Sequence, residues 1–275
     1  MKIKKERAYS VVLYALLLMK MKILFTDLDN TMIYSYRHDI GSHKRCAEIY
    51  QGREISFVTD QTYELLRRAR KRLLIVPVTT RTIEQYRRID LGTGEFEYAL
   101  TCNGGVLLRN GQMDEAWYQD ALAMIKYSAD EVKRGIALLQ KDDNICFEIR
   151  YIMDLFVFTK SLFPKATAAM LRSELDGSKV DVFDNGAKVY IVPKMLDKGG
   201  AVMRLAHQLG CETLIAAGDS EFDIPMLRSA DVAIYPRSLN IGSFSGREMV
   251  CPNDQVLSEW MLNAVLEQEE DLICS

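Results

Sequence analysis

The stretch MKILFTDLDNT, residues 21–31, decides the fold. Ile23 to Thr26 is short, continuous and apolar, as a parallel strand covered on both faces should be. The strand ends in two carboxylates, Asp27 and Asp29, which are costly near a buried strand unless a cation or a hydrogen-bonding partner compensates them. The stretch therefore predicts a buried strand that brings acidic groups to a functional site.

Four more runs have this buried-strand character, and helical patterns lie between them. These runs are Leu73–Val78, Tyr98–Thr101, Leu214–Ala217 and Val232–Tyr235. One helix is predicted over Asp60–Arg72 behind the N-cap Thr59, and another over Asp197–Leu209 ahead of the C-cap Gly210. Strands that alternate with helices predict the α/β class, with a doubly wound, mainly parallel, Rossmann-like core.

The middle of the chain departs from this alternation. A helical stretch over Asp114–Lys141, one helix or two, is followed by a strand pair, a helix and a second strand pair. The strands are predicted at Ile145–Tyr151, Leu155–Lys160, Lys179–Phe183 and Lys188–Val192, with the helix around Ala166–Leu175. Asn185-Gly186 is a strong hairpin turn. We predict an inserted α+β cap domain over 110–187 and a core made of 21–109 and 188–275.

Residues 34–58, which follow the first strand, are rich in polar and aromatic side chains. We expect an irregular section here, and long loops at the carboxyl end of a core strand are often functional.

Composition excludes several classes of protein. The chain has 275 residues, 48% of them hydrophobic and 27% charged, as is typical of a globular protein. Its net charge of −3 supplies no basic field for nucleic acid or an anionic membrane. The basic run Arg67–Arg72 is interpreted as a solvated helix face. Six scattered cysteines and three histidines favour neither a disulfide framework nor a zinc site, so we expect a reducing cytoplasm.

Residues 1–20 are predicted to be an N-terminal extension. Lys2 to Arg7 is basic and Val11 to Met19 is apolar, but there is no small-residue cleavage site and the apolar run is too short to span a bilayer. Since the first strand begins at Lys22, Met21 is a natural start, and a misplaced start codon would explain the extension. The alternative is a short amphipathic helix packed on the body.

Three further segments lie after strands or beside the insert. They are Val78-Thr79-Thr80-Arg81, Leu196-Asp197-Lys198-Gly199 and Ala217-Gly218-Asp219-Ser220-Glu221-Phe222-Asp223. Taken singly, Thr79-Thr80 can be interpreted as the cap of the next helix, and Gly218-Asp219-Ser220 as a turn. Lys198 is harder to dismiss, because the first turn of a helix disfavours a cation unless an anionic site lies nearby.

Taken together, these segments predict phosphoryl-transfer chemistry. In an open α/β sheet the strand ends converge, so Asp27, Asp29, Asp219 and Asp223 would share one crevice. Such a cluster needs a cation, and an oxygen-only ligand set favours Mg²⁺. A metal, a lysine and threonine hydroxyls would hold a phosphoryl group while one carboxylate attacks phosphorus.

The order and spacing of these motifs resemble the haloacid dehalogenase-like superfamily of aspartate-nucleophile phosphatases. DLDNT resembles its DxDxT motif, Thr79 its second motif, Lys198 its third, and GDSEFD its GDxxxD motif. The insert, between the second and third motifs, is similar to a type IIB cap. Thr101-Cys102-Asn103-Gly104-Gly105 resembles the "NGA" loop of the Cof-like and sucrose-phosphate-phosphatase-like branch.

The resemblance implies a role for each matched residue. Asp27 would be the nucleophile and Asp29 the general acid and base. Mg²⁺ would be held by Asp27, Asp219 and the backbone carbonyl of Asp29, while Asp223 would support the metal's waters or Lys198. Phosphoryl oxygens would bind Thr79, Lys198 and the backbone after Asp27.

Other residues are candidate substrate contacts. They are Thr80 and Arg81, which stand beside Thr79, and Asn103. The cap offers Glu148, Arg150 or Lys188 as contacts, although solvent-facing strand charges are the preferred interpretation of these three. Two departures from the family pattern stand out: Phe222 where many relatives have Asn, and Thr80 where glycine is usual.

The expected function is Mg²⁺-dependent hydrolysis of a small phosphorylated metabolite, a sugar or polyol phosphate, through an aspartyl-phosphate. The alternatives are a phosphomutase using the same intermediate, or a catalytically silent binding or regulatory module. No nucleic acid or membrane partner is expected.

Overall fold

The computed structural model describes residues 21–273. The extension expected over residues 1–20 lies outside this range. In chain order, the strands are β1 (Lys22–Thr26), β2 (Tyr34–Ser35), β3 (Lys44–Tyr50), β4 (Arg53–Thr59), β5 (Leu74–Pro77), β6 (Tyr98–Thr101), β7 (Val106–Arg109), β8 (Gln112–Met113), β9 (Arg150–Ile152), β10 (Phe156–Lys160), β11 (Val180–Asn185), β12 (Lys188–Pro193), β13 (Thr213–Ala217), β14 (Val232–Pro236) and β15 (Arg247–Cys251).

Eight α-helices complete the described part of the chain. They are α1 (Asp60–Ala69), α2 (Ile83–Arg87), α3 (Glu115–Ile125), α4 (Ala129–Leu139), α5 (Pro164–Glu174), α6 (Lys198–Leu209), α7 (Ile224–Arg228) and α8 (Leu257–Ile273). Thr59 caps α1 and Gly210 ends α6 in a left-handed conformation, as the sequence predicts. Between residues 21 and 273, no helix combines the length and apolarity needed to cross a membrane.

A five-stranded sheet in the order β15-β14-β13-β1-β5 forms the core, and every neighbouring pair is parallel. β1 alternates strictly: Ile23 and Phe25 pack on the side of α6 and α7, and Leu24 packs on the side of α1 and α8. Burial on both faces explains why the strand is continuously apolar. The predicted doubly wound α/β core is confirmed.

The register of β1 explains where the site forms. Thr26 lies opposite Ala217 on β13 and Pro77 on β5. The chain leaves β1 toward β5 on one side and meets β13 on the other, which makes the end of β1 a switch point of the sheet. The segments beginning at Asp27, Thr79 and Gly218 therefore start at one edge.

A four-stranded antiparallel sheet in the order β11-β12-β10-β9, called the cap sheet below, accompanies α3, α4 and α5. Because β12 pairs with β11 along its whole length, a boundary between 187 and 188 cuts a hairpin. The predicted core segment 188–275 thus begins too early, and the cap sheet continues to Pro193. The boundary near 110 likewise falls in the turn between β7 and β8.

The expectation of an irregular section over 34–58 is wrong. β3 and β4 form an antiparallel hairpin, and β2 extends it to three strands. The turn residues Gln51 and Gly52 both have positive φ, at 51° and 74°. Register shifts at Cys46, Glu48 and Ile49 interrupt the inward and outward alternation, which hid the strand in the sequence.

Tyr98–Thr101 is a strand, as predicted, but not a regular member of the parallel sheet. It pairs antiparallel with β7, and β8 completes this small sheet. A parallel bridge from Val78 to Leu100 joins it to the core. Because β6 turns back at once into β7, it cannot be followed by the crossover helix that a parallel neighbour requires.

Candidate active site

The edge of the parallel sheet at β1 assembles the acidic residues. The Asp27 backbone N–H donates to the Ala217 carbonyl at 2.8 Å, which continues the ladder one residue past β1. Asp27 is buried, whereas the side chain of Asp29 is 49% exposed. Two carboxylates two positions apart thus lie in different surroundings, the first inside the protein and the second in the crevice.

Lys198 lies at the start of α6, behind the N-cap Asp197. Its Nζ donates to Asp27 Oδ1 and to Asp223 Oδ1, both at 2.6 Å, and its side chain is 1% exposed. Burial alone would lower its pKa, but the charges of Asp223 and Asp27 outweigh burial and raise it. The anionic site that the position of Lys198 requires is therefore present.

Asp223 is fully buried and organises the glycine loop after β13. Its Oδ2 accepts from the backbone N–H of Asp219 at 3.1 Å, and from the N–H and hydroxyl of Ser220 at 2.9 and 2.8 Å. A Cβ on Gly218 would lie 2.4 Å from Asp223 Cβ, so glycine is required there. With Lys198 on its other oxygen, Asp223 fixes both the lysine and the loop.

Asp27, Asp219 and Asp223 form the one acidic cluster within residues 21–273 that could hold a metal ion, with candidate oxygens within 4.8 Å of one another. Burial, followed by the charge of Asp223, raises the pKa of Asp219 to about 7. Burial raises the pKa of Asp27 well above its usual range, although Lys198 opposes this shift. Three carboxylates around one lysine leave negative charge in excess, and a hard divalent cation fits this oxygen-only set.

Thr31 is a residue of this site that the sequence interpretation did not assign. It is fully buried, and its hydroxyl donates to Asp219 Oδ1 at 3.0 Å. The threonine of the first motif therefore orients a carboxylate of the fourth. Its place in DLDNT was the available signal, but its partner lies far along the chain.

Asp29 faces away from the metal-competent cluster and pairs with Arg81. Arg81 donates from Nε to Asp29 Oδ2 and from Nη2 to Asp29 Oδ1, both at 2.7 Å. Burial would raise the pKa of Asp29, but the hydrogen bonds and charge of Arg81 outweigh it and lower that pKa. The carboxylate of Asp29 is therefore not among the grouped metal ligands, and its backbone carbonyl as a ligand stays a prediction.

Glu48 is the second residue that sequence reasoning missed. Its side chain on β3 is fully buried, and its Oε2 lies 2.9 Å from Arg81 Nη1. Its Oε1 accepts from Arg88 at 3.0 Å, and the Ser56 hydroxyl donates to Oε2 at 2.8 Å. Arg81 is thus clamped between Glu48 and Asp29. Arg81 was predicted to bind substrate, but in the structure its guanidinium is engaged by these two carboxylates.

The threonines of the second motif lie at the end of β5. Thr79 is fully buried, its backbone N–H donates to the Leu100 carbonyl at 2.8 Å, and its Oγ1 accepts from the Arg81 backbone N–H at 3.2 Å. Thr80 is half-buried. Thr79 and Thr80 as phosphoryl-binding residues stay predictions.

Asn103 lies between the second motif and the segment before Lys198. It is 4% exposed, and its Nδ2 donates to the Leu196 carbonyl at 2.7 Å. Its backbone N–H donates to the Thr79 carbonyl at 2.9 Å. These bonds tie the second motif to the segment before Lys198, and Asn103 as a substrate contact stays a prediction.

The surroundings of Phe222 explain why a phenylalanine stands at this position of the fourth motif. Its ring lies 4.2 Å from that of Phe183 and 5.2 Å from that of Tyr190, measured between centroids, and both partners belong to the cap sheet. The loop that carries Asp219 and Asp223 therefore packs directly on the cap. An apolar contact between the two layers thus occupies the position where the family pattern predicts Asn.

Comparison with known proteins agrees with this assembly. Residues 114–235 match the model of the haloacid dehalogenase-like hydrolase family. A phosphoglycolate phosphatase from Methanoculleus marisnigri is 30% identical over 95 residues, 34% of this chain and 40% of that relative. The chain thus spans less than half the length of this curated relative.

Two solved structures resemble the chain along most of its length. Sucrose-phosphatase from Synechocystis sp. PCC6803, in complex with sucrose and phosphate, superposes with a TM-score of 0.60 at 19% identity, covering 90% of this chain and 98% of that one. The HAD subclass IIB sugar phosphatase BT4131 gives a TM-score of 0.58 at 14% identity, covering 90% and 99%. At these identities the likeness shows the fold.

The family match over residues 114–235 includes the third and fourth motifs, Lys198 and GDSEFD, and the likeness in fold covers 90% of the chain. These findings agree with the resemblance drawn from DLDNT, Lys198 and GDSEFD: the chain has the fold of these phosphatases, and its residues 114–235 match the haloacid dehalogenase-like hydrolase model.

Proposed function

We propose that this protein is a Mg²⁺-dependent phosphatase of small phosphomonoesters, sugar or polyol phosphates, that works through an aspartyl-phosphate on Asp27. The observation that carries the proposal is the buried carboxylate of Asp27 at the end of β1, 2.6 Å from Lys198 and grouped with Asp219 and Asp223. A carboxylate held by one oxygen leaves the other free to attack phosphorus.

In the first step, a carboxylate oxygen of Asp27 attacks the phosphorus atom, and the bond from phosphorus to the leaving oxygen breaks. Lys198 compensates negative charge at the phosphoryl group, and Thr79 with the backbone after Asp27 orients the oxygens. Asp29 gives a proton to the leaving oxygen, so the product departs as an alcohol. This role requires that the negative charge of the phosphoryl group raise the pKa of Asp29, which the ion pair with Arg81 lowers.

In the second step, Asp29 takes a proton from water as the water oxygen attacks phosphorus. The acyl-phosphate bond breaks, phosphate leaves, and Asp27 returns to its starting state. Each turnover therefore consumes one ester and one water and yields one alcohol and one phosphate, with Asp29 again protonated.

Asp27, Asp219 and the backbone carbonyl of Asp29 would hold Mg²⁺, with Asp223 supporting its water ligands or Lys198. Bound there, the metal would supply positive charge that stabilises the phosphoryl oxygens. The excess of carboxylates over lysine in this cluster supports the assignment.

The names of the similar proteins support the substrate class. One is a phosphoglycolate phosphatase, one a sucrose-phosphatase and one a sugar phosphatase, and all of these names describe phosphate esters of small molecules. A cytoplasmic location is part of the proposal. The five cysteines between residues 21 and 273 are free thiols, which supports a reducing compartment.

The test is phosphate release from a panel of phosphorylated metabolites by the purified protein with Mg²⁺, alongside the Asp27→Asn variant. We expect turnover by the wild type and none by a folded Asp27→Asn protein, because the nearly isosteric amide cannot act as the nucleophile. Turnover at the wild-type rate in the variant would exclude Asp27 as nucleophile. Isomerised hexose phosphate without net phosphate release would indicate a phosphomutase, and binding without either reaction a silent module.

A further inference from the structure

One face of the cap sheet carries a row of aromatic side chains followed by a row of lysines. Across the strands, Phe158 lies opposite Tyr190, and Tyr190 lies opposite Phe183. Two residues further along the same strands, Lys160 lies opposite Lys188. Because side chains on a strand alternate between faces, both lysines share the face of the aromatic row.

Phe222 shows that this face meets the core. Its ring contacts Phe183 and Tyr190 from the loop that carries Asp219 and Asp223. The opposite face of the cap sheet packs its own apolar cluster, with Val157, Val189 and Ile191. The lysine row therefore stands beside the crevice and not on the far side of the cap.

Lys188 reaches the neighbourhood of Asp29. The charges of the two groups interact: Lys188 helps to lower the pKa of Asp29, and Asp29 partly offsets the lowering of the pKa of Lys188 by burial. Water nevertheless reaches Lys188, which is an exposed residue. Asp29 is the group proposed to protonate the leaving oxygen, so the leaving group would lie between these two side chains.

The cations around the crevice differ in how they are compensated. Lys198 has two carboxylate partners, and so does Arg81. Within the described residues neither Lys188 nor Lys160 has an ion-pair partner, and Lys160 Nζ lies 4.7 Å from the ring centroid of Phe147. The cap therefore presents two unneutralised positive charges to the part of the crevice where the leaving group departs.

The other charged candidates on the cap do not share this property. Glu148 and Arg150 form an ion pair with each other and are exposed. Glu148 and Arg150 are therefore solvent-facing strand charges, as the preferred interpretation has it. Lys188 differs from them because its charge interacts with Asp29 in the crevice.

We infer that Lys188, supported by Lys160, binds an anionic group on the leaving part of the substrate, either a carboxylate or a second phosphate. The substrate class narrows accordingly to phosphate esters of hydroxy acids or acid sugars, or to bisphosphates. This inference rests on the proposed function, because it assumes that Asp29 marks the leaving-group side. A charge-assisted contact of this kind corresponds to about a ten- to hundredfold preference over a neutral substrate of the same shape.

The experiment compares substrates that differ in one charge. 3-Phosphoglycerate is measured against glycerol 3-phosphate, and glucose 1,6-bisphosphate against glucose 6-phosphate, so the two arms separate carboxylate from phosphate recognition. We expect the wild type to prefer the charged member of at least one pair by about ten- to hundredfold in kcat/KM. Lys188→Gln should remove most of that preference, and Lys188→Glu should reverse it.

Lys165→Gln is the matched control, because Lys165 is an exposed lysine on α5 of the cap. It should leave the preference unchanged. The same pairs are also titrated by calorimetry against Asp27→Asn protein, which measures the preference without turnover.

A wild type that turns over both members of each pair equally, or a Lys188→Gln variant with the wild-type preference, would overturn the inference and leave the phosphatase proposal standing. No turnover of any ester would overturn the phosphatase proposal, and the calorimetric preference would then decide the inference alone.

Discussion

Two ion-pair networks in the site each place a cation between two carboxylates, but the pKa values of their aspartates shift in opposite directions. In the inner network, around α6, Lys198 lies between Asp27 and Asp223. In the outer network, beside the hairpin of β3 and β4, Arg81 lies between Asp29 and Glu48. Yet the pKa of Asp27 is raised, while that of Asp29 is lowered.

Charge balance explains the difference. Asp219 adds a third carboxylate to the inner network, which has one lysine. Arg88 adds a second guanidinium to the outer network, so that two cations face two carboxylates. The inner network therefore needs a further cation, whereas the outer one is complete. The comparison indicates that the inner network can bind a cation, whereas the outer network holds the side chain of Asp29 in position.

The largest effect on activity is expected when Mg²⁺ is kept away from the inner network. Excess chelator should stop phosphatase activity and Mg²⁺ should restore it, and Asp219→Asn should lower activity about hundredfold or more. Full activity in excess chelator would exclude a dissociable metal. Asp143→Asn, at an exposed position in the cap, is the control.

The stability of the metal-free protein sharpens the same point. Burial raises the pKa of Asp219 to about 7, so the folded protein holds this proton more tightly than the unfolded chain does. The protonated carboxyl imposes no penalty on folding below about pH 4. Stability then falls as the pH rises from about 4 to about 7, because the buried group must ionise. Without metal, Asp219→Asn should therefore melt a few degrees above the wild type at pH 8, and the difference should shrink toward pH 4. A constant difference across this range would contradict the excess of negative charge.

The next effect concerns Asp29 in the outer network. Asp29→Asn removes the proton donor and the base while keeping much of the shape that Arg81 contacts, so hydrolysis of alkyl phosphates should fall by about 10²–10⁴-fold. An aryl phosphate, whose leaving group needs little protonation, should lose less in the first step. Rapid-quench kinetics would separate the two steps, and equal losses on both substrates would count against the acid role.

A smaller effect is expected from Glu48, which touches neither metal nor substrate. Glu48→Gln removes a buried carboxylate and leaves the partly buried guanidinium groups of Arg81 and Arg88 with one carboxylate fewer, which should lower stability by about 3 kcal/mol. As Arg81 loosens, Asp29 loses its fixed orientation, so kcat should fall about ten- to hundredfold at a temperature where both proteins are folded. Glu54→Gln, at an exposed position on β4, should change neither quantity. An unchanged kcat in a destabilised Glu48→Gln protein would reduce Glu48 to a structural role.

The smallest effect is predicted at Phe222, where the site meets the cap. Phe222→Asn, which introduces the residue that the family pattern predicts, should remove two aromatic contacts and raise KM by about two- to tenfold. Phe222→Leu should have an intermediate effect because it keeps an apolar contact. Limited proteolysis of the cap provides the second measurement. Identical KM and cleavage rates in all three proteins would show that the stacking does not hold the cap.

The inner network could be predicted from the sequence, because its members stand where a parallel sheet must bring them together. Asp27 and Asp219 follow adjacent strands, and Lys198 begins a helix at a position that disfavours a cation. The outer network could not be predicted in the same way. Glu48 resembles a solvent-facing strand residue, and the register shifts in β3 obscure the strand pattern around it. Its burial also depends on Arg81 from another segment.

Phe222 was noticed from its motif but could not be interpreted. Its partners, Phe183 and Tyr190, belong to the insert, and no periodicity links an insert residue to a loop of the core. The same holds for Lys188, whose importance depends on which face of the cap sheet meets the crevice. Contacts within one layer can be predicted from the periodicity of the sequence, whereas contacts between layers become visible only in the three-dimensional structure.

The stacking of Phe222 on the cap sheet also bears on how such proteins diverge and how they can be recombined. A catalytic loop and a selectivity domain are often treated as interchangeable parts, but here one side chain belongs to both. A chimera that received a foreign cap with a small polar residue in place of Phe183 would leave the Phe222 ring without its closest aromatic partner, next to the metal-competent carboxylates. Exchange of the cap therefore has to include position 222, because this residue belongs to the fourth motif and packs on the insert.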